Sequence, residues 1–296
     1  MKASIQAPAK LTLTLRILDS TDDGYHNLDA LTVFLPDLSD VIEIFDRSTH
    51  DSFLTISHTD GSVSDLPRDN SNLVVRAWEK YCEHVNVDEY DLTNIGFHLV
   101  KLIPHAGGLG GGSADAAATL RLLNRLCDDE LSTTDLLSLA TELGSDVAAC
   151  IYSHAVRMQG RGDRVDPLGE PDFHMSACLV TPQVHCPTPD VYRRYDEIGR
   201  PVDEGVAAPD TMKAHTQTLH NDLALAAYDL FPELVAFKKQ LEDITGVPFM
   251  LAGSGSTFFT LGDQETTDSI HRLLLSELTD EEGMSNLRLC AVSSLR

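Results

Sequence analysis

Residues 104–118 read Pro104-His105-Ala106-Gly107-Gly108-Leu109-Gly110-Gly111-Gly112-Ser113-Ala114-Asp115-Ala116-Ala117-Ala118. Five glycines in six positions remove the Cβ atoms that would keep a ligand away from the backbone. The alanine-rich run that follows predicts a helix over 113–126, with Ser113 near its start. Free N–H groups and the positive end of the helix dipole both favour an anion at that point. The pattern predicts a phosphate cradle. A Walker A loop needs Gly-Lys-Ser/Thr at its end, and no lysine follows these glycines. A dinucleotide fingerprint belongs after the first strand of a βαβ unit with an acid about 20 residues on, whereas this run follows a strand late in its half of the chain. A flexible glycine linker is seldom followed at once by a strong helix.

The remainder of the chain supplies the scaffold. From Lys10 to Ile17 the residues Leu11, Leu13, Leu15 and Ile17 alternate with Thr12, Thr14 and Arg16, the period of a half-buried strand. Asp22-Asp23-Gly24 has turn chemistry, and short apolar runs follow at 31–34, 41–45 and 53–57. Leu73, Val74, Ala77, Trp78 and Tyr81 form a helical stripe within 72–85, and Ile95, Phe97 and Leu99 alternate again. After the glycine run, a second helix is expected over 134–143, stopped by Gly144. The later half mixes expected strands at 177–181, 249–251, 257–261 and 289–292 with helices at 232–244 and 266–278. An exposed loop is expected at 199–209. This is an α+β pattern of antiparallel strands with inserted helices. It is divided here into an N-terminal lobe, 1–153, and a C-terminal lobe, 154–296.

Composition narrows the partners. With 22 Lys and Arg against 46 Asp and Glu, the net charge of −24 repels nucleic acid and anionic membranes. No stretch approaches the ~20 apolar residues of a membrane span, and the first residues lack the apolar core of a signal peptide. A cytoplasmic protein acting on a small molecule is expected. The six cysteines include no Cys-x-x-Cys pair and read as reduced thiols. The histidines form no His-Glu-x-x-His pattern.

Three weaker features gain meaning together. Lys10 heads the first strand, Asp23-Gly24-Tyr25-His26 follows it, and Leu143-Gly144-Ser145-Asp146-Val147 places an acid at a helix start. Taken alone these read as a solvated strand-end charge, a turn and an N-terminal aspartate. With Ala7-Pro8-Ala9-Lys10, the glycine run, Asn221-Asp222-Leu223 and Gly253-Ser254-Gly255-Ser256, they stand in the order seen in the GHMP kinase superfamily. The resemblance covers essentially the whole chain. Asp-Gly-Tyr-His and Leu-Gly-Ser-Asp-Val resemble, more narrowly, the members that phosphorylate a hydroxyl of a diphosphocytidyl-linked methylerythritol on the non-mevalonate route to isoprenoids.

The resemblance implies a two-lobed fold, with an N-terminal lobe like ribosomal protein S5 domain 2 and a ferredoxin-like C-terminal lobe. It implies ATP phosphates on Pro104, Gly107, Gly108, Leu109, Gly110, Gly111, Gly112 and Ser113. A catalytic pair is implied at Lys10 and Asp146, the lysine holding the aspartate ionised and stabilising charge on the γ-phosphate. It also implies cytidine contacts from Tyr25, His26 and Tyr192, and Mg²⁺ on the phosphates within reach of Ser113. Thr12, a substrate-contact position, stands where the family usually has asparagine. Ala114 replaces a common serine, and Ala148 stands where proline often follows Asp-Val. A homoserine, mevalonate or sugar kinase would keep the glycine run but lack Tyr25 and His26. A non-catalytic nucleotide sensor would be expected to lose Lys10 or Asp146.

Overall fold

The computed structural model describes residues 3–20, 26–49, 52–59, 64–168, 175–199, 219–278 and 287–295. The Asp23-Gly24 turn, Tyr25 and residues 200–209 of the expected loop lie outside them. Two compact units emerge. One comprises Met1–Ala9, Ser39–Ile103 and Gly110–Ser153, the other Lys10–Leu38, Pro104–Leu109 and His154–Arg296. Two long strands, β1 (Ala3–Ser20) and β2 (His26–Asp46), run through both. The apolar runs expected at 31–34 and 41–45 are thus parts of one 21-residue strand.

In the first unit, β2 from Val41 pairs antiparallel with β4 (Ile95–Lys101), with Val41 opposite Val100 and Asp46 opposite Ile95. On the other edge of β4, β3 (Leu54–His58) runs parallel, Leu54 opposite Phe97. Four helices accompany these strands: α1 (Leu73–Cys82), α2 (Gly111–Leu126), α3 (Thr133–Leu143) and α4 (Ser145–Tyr152). α2 packs against each of the other three. Local chemistry fixes two of the helix starts. Asn72 Oδ1 accepts from Val74 N at 2.9 Å, and Ser132 with Asp135 forms a reciprocal capping box.

In the second unit, β1 lies between β2 and β8 (His220–Asn221), which is parallel to it with Thr14 opposite His220. The N-terminal part of β2 pairs with β5 (Val156–Gly160), and β5 with β6 (Arg164–Pro167). A separate antiparallel sheet has the order β11-β7-β10-β9, built from β7 (Ser176–Pro182), β9 (Met250–Leu251), β10 (Phe258–Gly262) and β11 (Leu287–Ser294). α8 (Gln264–Leu278) packs against β7, β10 and β11 and against α7 (Pro232–Thr245); α5 (Thr188–Ile198) packs on α6 (Ala224–Leu230).

β1 is not half-buried as its alternation suggests. Its leucine face is buried, and so are Thr12 and Thr14 on the other face. The hydroxyls make this tolerable: Thr12 Oγ1 lies 3.3 Å from Thr32 Oγ1, and Thr14 Oγ1 accepts from Leu31 N at 3.2 Å. The six cysteines are reduced thiols, four of them buried.

A buried polar anchor joins the helices of the first unit. Tyr81 Oη donates to Asn124 Oδ1 at 2.9 Å, and the same oxygen accepts from Leu131 N at 2.9 Å while Asn124 Nδ2 donates to Leu131 O at 3.0 Å. Tyr81→Phe leaves the Leu131 bond in place and is expected to cost about 1 kcal/mol. Asn124→Ala removes one acceptor of Tyr81 Oη and the side-chain partner of both Leu131 N–H and Leu131 O, and is expected to cost roughly 3 kcal/mol. Urea midpoints of the two variants check the order.

Candidate active site

The glycines of the run do different work. Gly108 has φ +78° and Gly110 φ +64°, conformations that side chains with a Cβ rarely take. A Cβ on Gly108 would meet Ala252 O at 2.1 Å, so its space is filled by the protein's own backbone rather than kept for a ligand. A Cβ on Gly107 would fall 3.0 Å from Thr257 Oγ1 and 3.2 Å from Pro104 O. Thr257 N donates to Gly107 O at 3.2 Å, and Leu109, buried, accepts from Lys10 N at 3.0 Å. This half of the run is thereby tied to the Gly253–Ser256 turn and to β1, all within the second unit.

The other half starts a helix. α2 begins at Gly111, two residues ahead of the expected start, with Gly110 as its N-cap and no side chain capping it. Its first N–H groups, from Gly111 to Ser113, have no partner inside the helix. In α1 and α3 one such group each, Val74 N and Asp135 N, is met by the side chain of Asn72 or Ser132. The start of α2 therefore offers donors and a positive dipole end to an anion. Ser113 is half-buried in its first turn.

Lys10 is not a solvated strand end: it is buried, and its Nζ donates to Thr12 Oγ1 at 3.4 Å. Thr12 is in turn bonded to Thr32, so its hydroxyl serves to orient the ammonium. Asp146 lies in the first turn of α4, after Gly144. Lys10 belongs to the second unit and Asp146 to the first.

His26 and Tyr192 come together, ring centroids 5.2 Å apart, and Tyr195 meets the same imidazole edge-on at 6.0 Å. His26 Nε2 lies 2.7 Å from Asp196 Oδ1. Asn221, from the Asn-Asp-Leu motif, donates through Nδ2 to Leu251 O and Gly253 O, each at 2.8 Å, and Asp222 Oδ2 accepts from Ile17 N at 2.6 Å. That motif holds the Gly253–Ser256 turn and β1 in place.

The residue types did not draw attention to a buried ionic cluster in the first unit. Lys101 Nζ donates to Asp40 Oδ2, and to Asp115 Oδ2 at 2.7 Å; all three side chains are buried. Asp40 Oδ1 accepts from Leu102 N at 2.6 Å and Ile103 N at 2.8 Å, the residues that lead into the glycine run. Burial opposes charge on Lys101, but the carboxylates of Asp115 and Asp40 outweigh it and raise its pKa. For Asp115 burial wins: desolvation lifts its carboxyl to about 7 against the pull of Lys101, and Asp40 adds to the rise. Its Oδ1 is buried with no hydrogen-bond partner among the described residues. A signal was present in the sequence. Lys101 continues the buried face Ile95, Phe97, Leu99, and Asp40 that of Ile42 and Ile44.

Comparison with known proteins fits this geometry. The family of GHMP kinases, N terminal domain, matches residues 72–154. A crystal structure of homoserine kinase from Cytophaga hutchinsonii shares the fold, with TM-score 0.68 at 19% identity over all of this chain and 94% of that one. The architecture is that of a GHMP kinase. A crystal structure of 4-(cytidine 5'-diphospho)-2C-methyl-D-erythritol kinase matches with TM-score 0.74 and 28% identity over 99% of both chains. The 4-diphosphocytidyl-2-C-methyl-D-erythritol kinase of Shouchella clausii is 32% identical over 90% of this chain and 88% of that protein. This chain belongs to the 4-diphosphocytidyl-2-C-methyl-D-erythritol kinase family.

Two predictions follow from the packing. Gly108→Ala must displace the Ala252 backbone as well as adopt a positive φ, and is expected to cost at least ~2 kcal/mol in a denaturant titration. Asp115 carries its proton in the folded state where an unfolded carboxyl, at 3.8, has lost it. Its contribution is therefore fully present below 3.8 and lost as pH rises through about 7. Asp115→Asn has no such titration, so its stability relative to wild type should improve by roughly 2 kcal/mol between pH 5 and 8. Paired urea titrations across that range check it; a constant difference overturns the assignment.

Proposed function

We propose that this chain uses ATP to phosphorylate a hydroxyl of 4-diphosphocytidyl-2-C-methyl-D-erythritol. The observation that carries the reading is the uncapped start of α2 on the glycine run, in a chain that also keeps Lys10, His26, Asp146 and Tyr192. The nucleotide's phosphates are assigned to the backbone of residues 107–113, where Gly110, Gly111 and Gly112 leave the N–H groups uncovered and Ser113 adds a hydroxyl.

Phosphoryl transfer asks a protein mainly for alignment and charge stabilisation. Asp146 takes the proton of the acceptor hydroxyl as its oxygen attacks the γ-phosphorus. The bond from that phosphorus to the β–γ bridging oxygen breaks, and ADP leaves. Lys10, a buried ammonium oriented by Thr12, stabilises the negative charge that develops on the transferring group. Among the described residues no three His, Cys, Asp or Glu side chains are gathered for a metal. A magnesium ion would sit on the nucleotide's phosphates with Ser113 Oγ as its assigned protein contact, and there it would neutralise phosphate charge. Tyr192 and Tyr25 supply aromatic faces for the cytosine and His26 its hydrogen bond. Stacking of this kind is worth ~1–3 kcal/mol per base.

No helix among the described residues is long and apolar enough to cross a membrane. With the charge of −24, this supports a cytoplasmic enzyme whose partners are small molecules rather than nucleic acid. Homoserine and mevalonate kinases share the fold at 19% identity or less in the examples from Cytophaga hutchinsonii and Methanococcus jannaschii, which speaks for the architecture alone.

The test is turnover with ATP and a panel of alcohols: the cytidylyl substrate, nucleotide-free methylerythritol phosphate, homoserine and mevalonate. The cytidylyl compound should react much the fastest. Asp146→Asn should lower kcat by roughly 100-fold or more while leaving ATP affinity nearly intact, the scale of lost general-base catalysis. Lys10→Ala should act in the same direction. Wild-type-like turnover in Asp146→Asn removes the base from the mechanism.

A further inference from the structure

The imidazole of His26 is held by a carboxylate that the sequence motifs do not include. Asp196 stands four residues after Tyr192 on α5, so one helical turn brings both side chains to the same face. Asp196 Oδ1 lies 2.7 Å from His26 Nε2, and the Tyr192 ring lies 5.2 Å from the same imidazole. The His26 side chain is 7% exposed and that of Asp196 53%, so the contact fixes a buried ring from a solvated carboxylate.

A carboxylate can only accept, so the proton of this bond sits on Nε2. In a neutral ring Nδ1 is then an acceptor. At C4, cytosine carries an amine, which donates, and uracil a carbonyl, which accepts. An acceptor nitrogen pairs with the first and opposes the second. We propose that Asp196 is a positioning residue for substrate specificity, fixing the His26 tautomer so that the base pocket favours a cytidine-linked over a uridine-linked diphosphate. The inference rests on the proposed function, in which His26 meets the base. It adds that the sense of the choice is set by the residue behind the imidazole.

The experiment compares cytidine-diphosphate and uridine-diphosphate methylerythritol as substrates of the full chain, at saturating ATP and mildly alkaline pH. Wild type should prefer the cytidine compound. Asp196→Ala should lower that preference roughly tenfold, the scale of one hydrogen bond. The change should come through the KM of the cytidine substrate, with the KM for ATP unmoved. Asp196→Asn, whose amide can accept or donate, admits both tautomers and should fall between. In ¹⁵N-histidine spectra, wild type should show His26 protonated on Nε2 and Asp196→Ala a mixture. An unchanged preference in Asp196→Ala, or a loss matched by an equal rise in the KM for ATP, overturns the inference. If wild type turns over neither nucleotide substrate, the proposed function itself falls, and the inference with it.

Discussion

A lysine ammonium withdrawn from water organises the first unit. Lys101 is the last residue of β4, and its ammonium donates to Asp40 from β2 and to Asp115 from α2. An uncompensated buried charge costs several kcal/mol, so a strand pairing or helix position that lost either carboxylate would be heavily disfavoured. Asp40 also takes the N–H groups of Leu102 and Ile103. The same carboxylate thus balances the charge and directs the chain as it leaves the sheet for the glycines. On the far side a Cβ at Gly111 would approach Lys101 Nζ to 3.3 Å and Ile103 Cγ2 to 3.1 Å. The first residue of α2 is small because the cluster and Ile103 lie against it.

This explains what could be read in the sequence and what could not. Strands and helices with a clean period were legible: α1, α3, α7, α8 and β4 fall within a few residues of where Leu73 to Tyr81, Ile95 to Leu99 and their counterparts place them. The glycine-opened start of α2 was legible because the glycines run directly into an alanine-rich helix. α5 was not, because Thr188–Ile198 is strongly polar and buries only Val191 and Tyr195. β6 and β8, four and two residues long, are too short to show a period. The both-sided burial of β1 was hidden because threonine reads as a surface residue until its hydroxyl has a partner. Thr12 and Thr14 have theirs in Thr32 and Leu31.

The ionic cluster was hidden for a different reason. Pattern reading assigns a lysine or aspartate to solvent, and each of Asp40, Lys101 and Asp115 alone satisfies that expectation. Only the register of β2 against β4, with Val41 opposite Val100, and the packing of α2 in the same unit bring the three together. Their sequence separations of 61 and 14 residues leave no local motif to find. What could have raised suspicion is that Lys101 keeps the parity of Ile95, Phe97 and Leu99.

The glycine run carries a further lesson about residue-level inference. Its composition alone says that something comes close to the backbone, and a phosphate is the natural candidate. At Gly108 that something is Ala252 O, part of the protein. At Gly110 the requirement is a left-handed N-cap that leaves α2 without a side chain over its end. A substitution at the first position therefore acts on stability before it acts on any ligand, and one at the second acts on the donors themselves. The same separation applies to His26. The ring is what a ligand would touch, but which nitrogen accepts is decided by Asp196, whose carboxylate admits one proton arrangement of the neutral ring. In both places the group behind the contact determines what the contact can do.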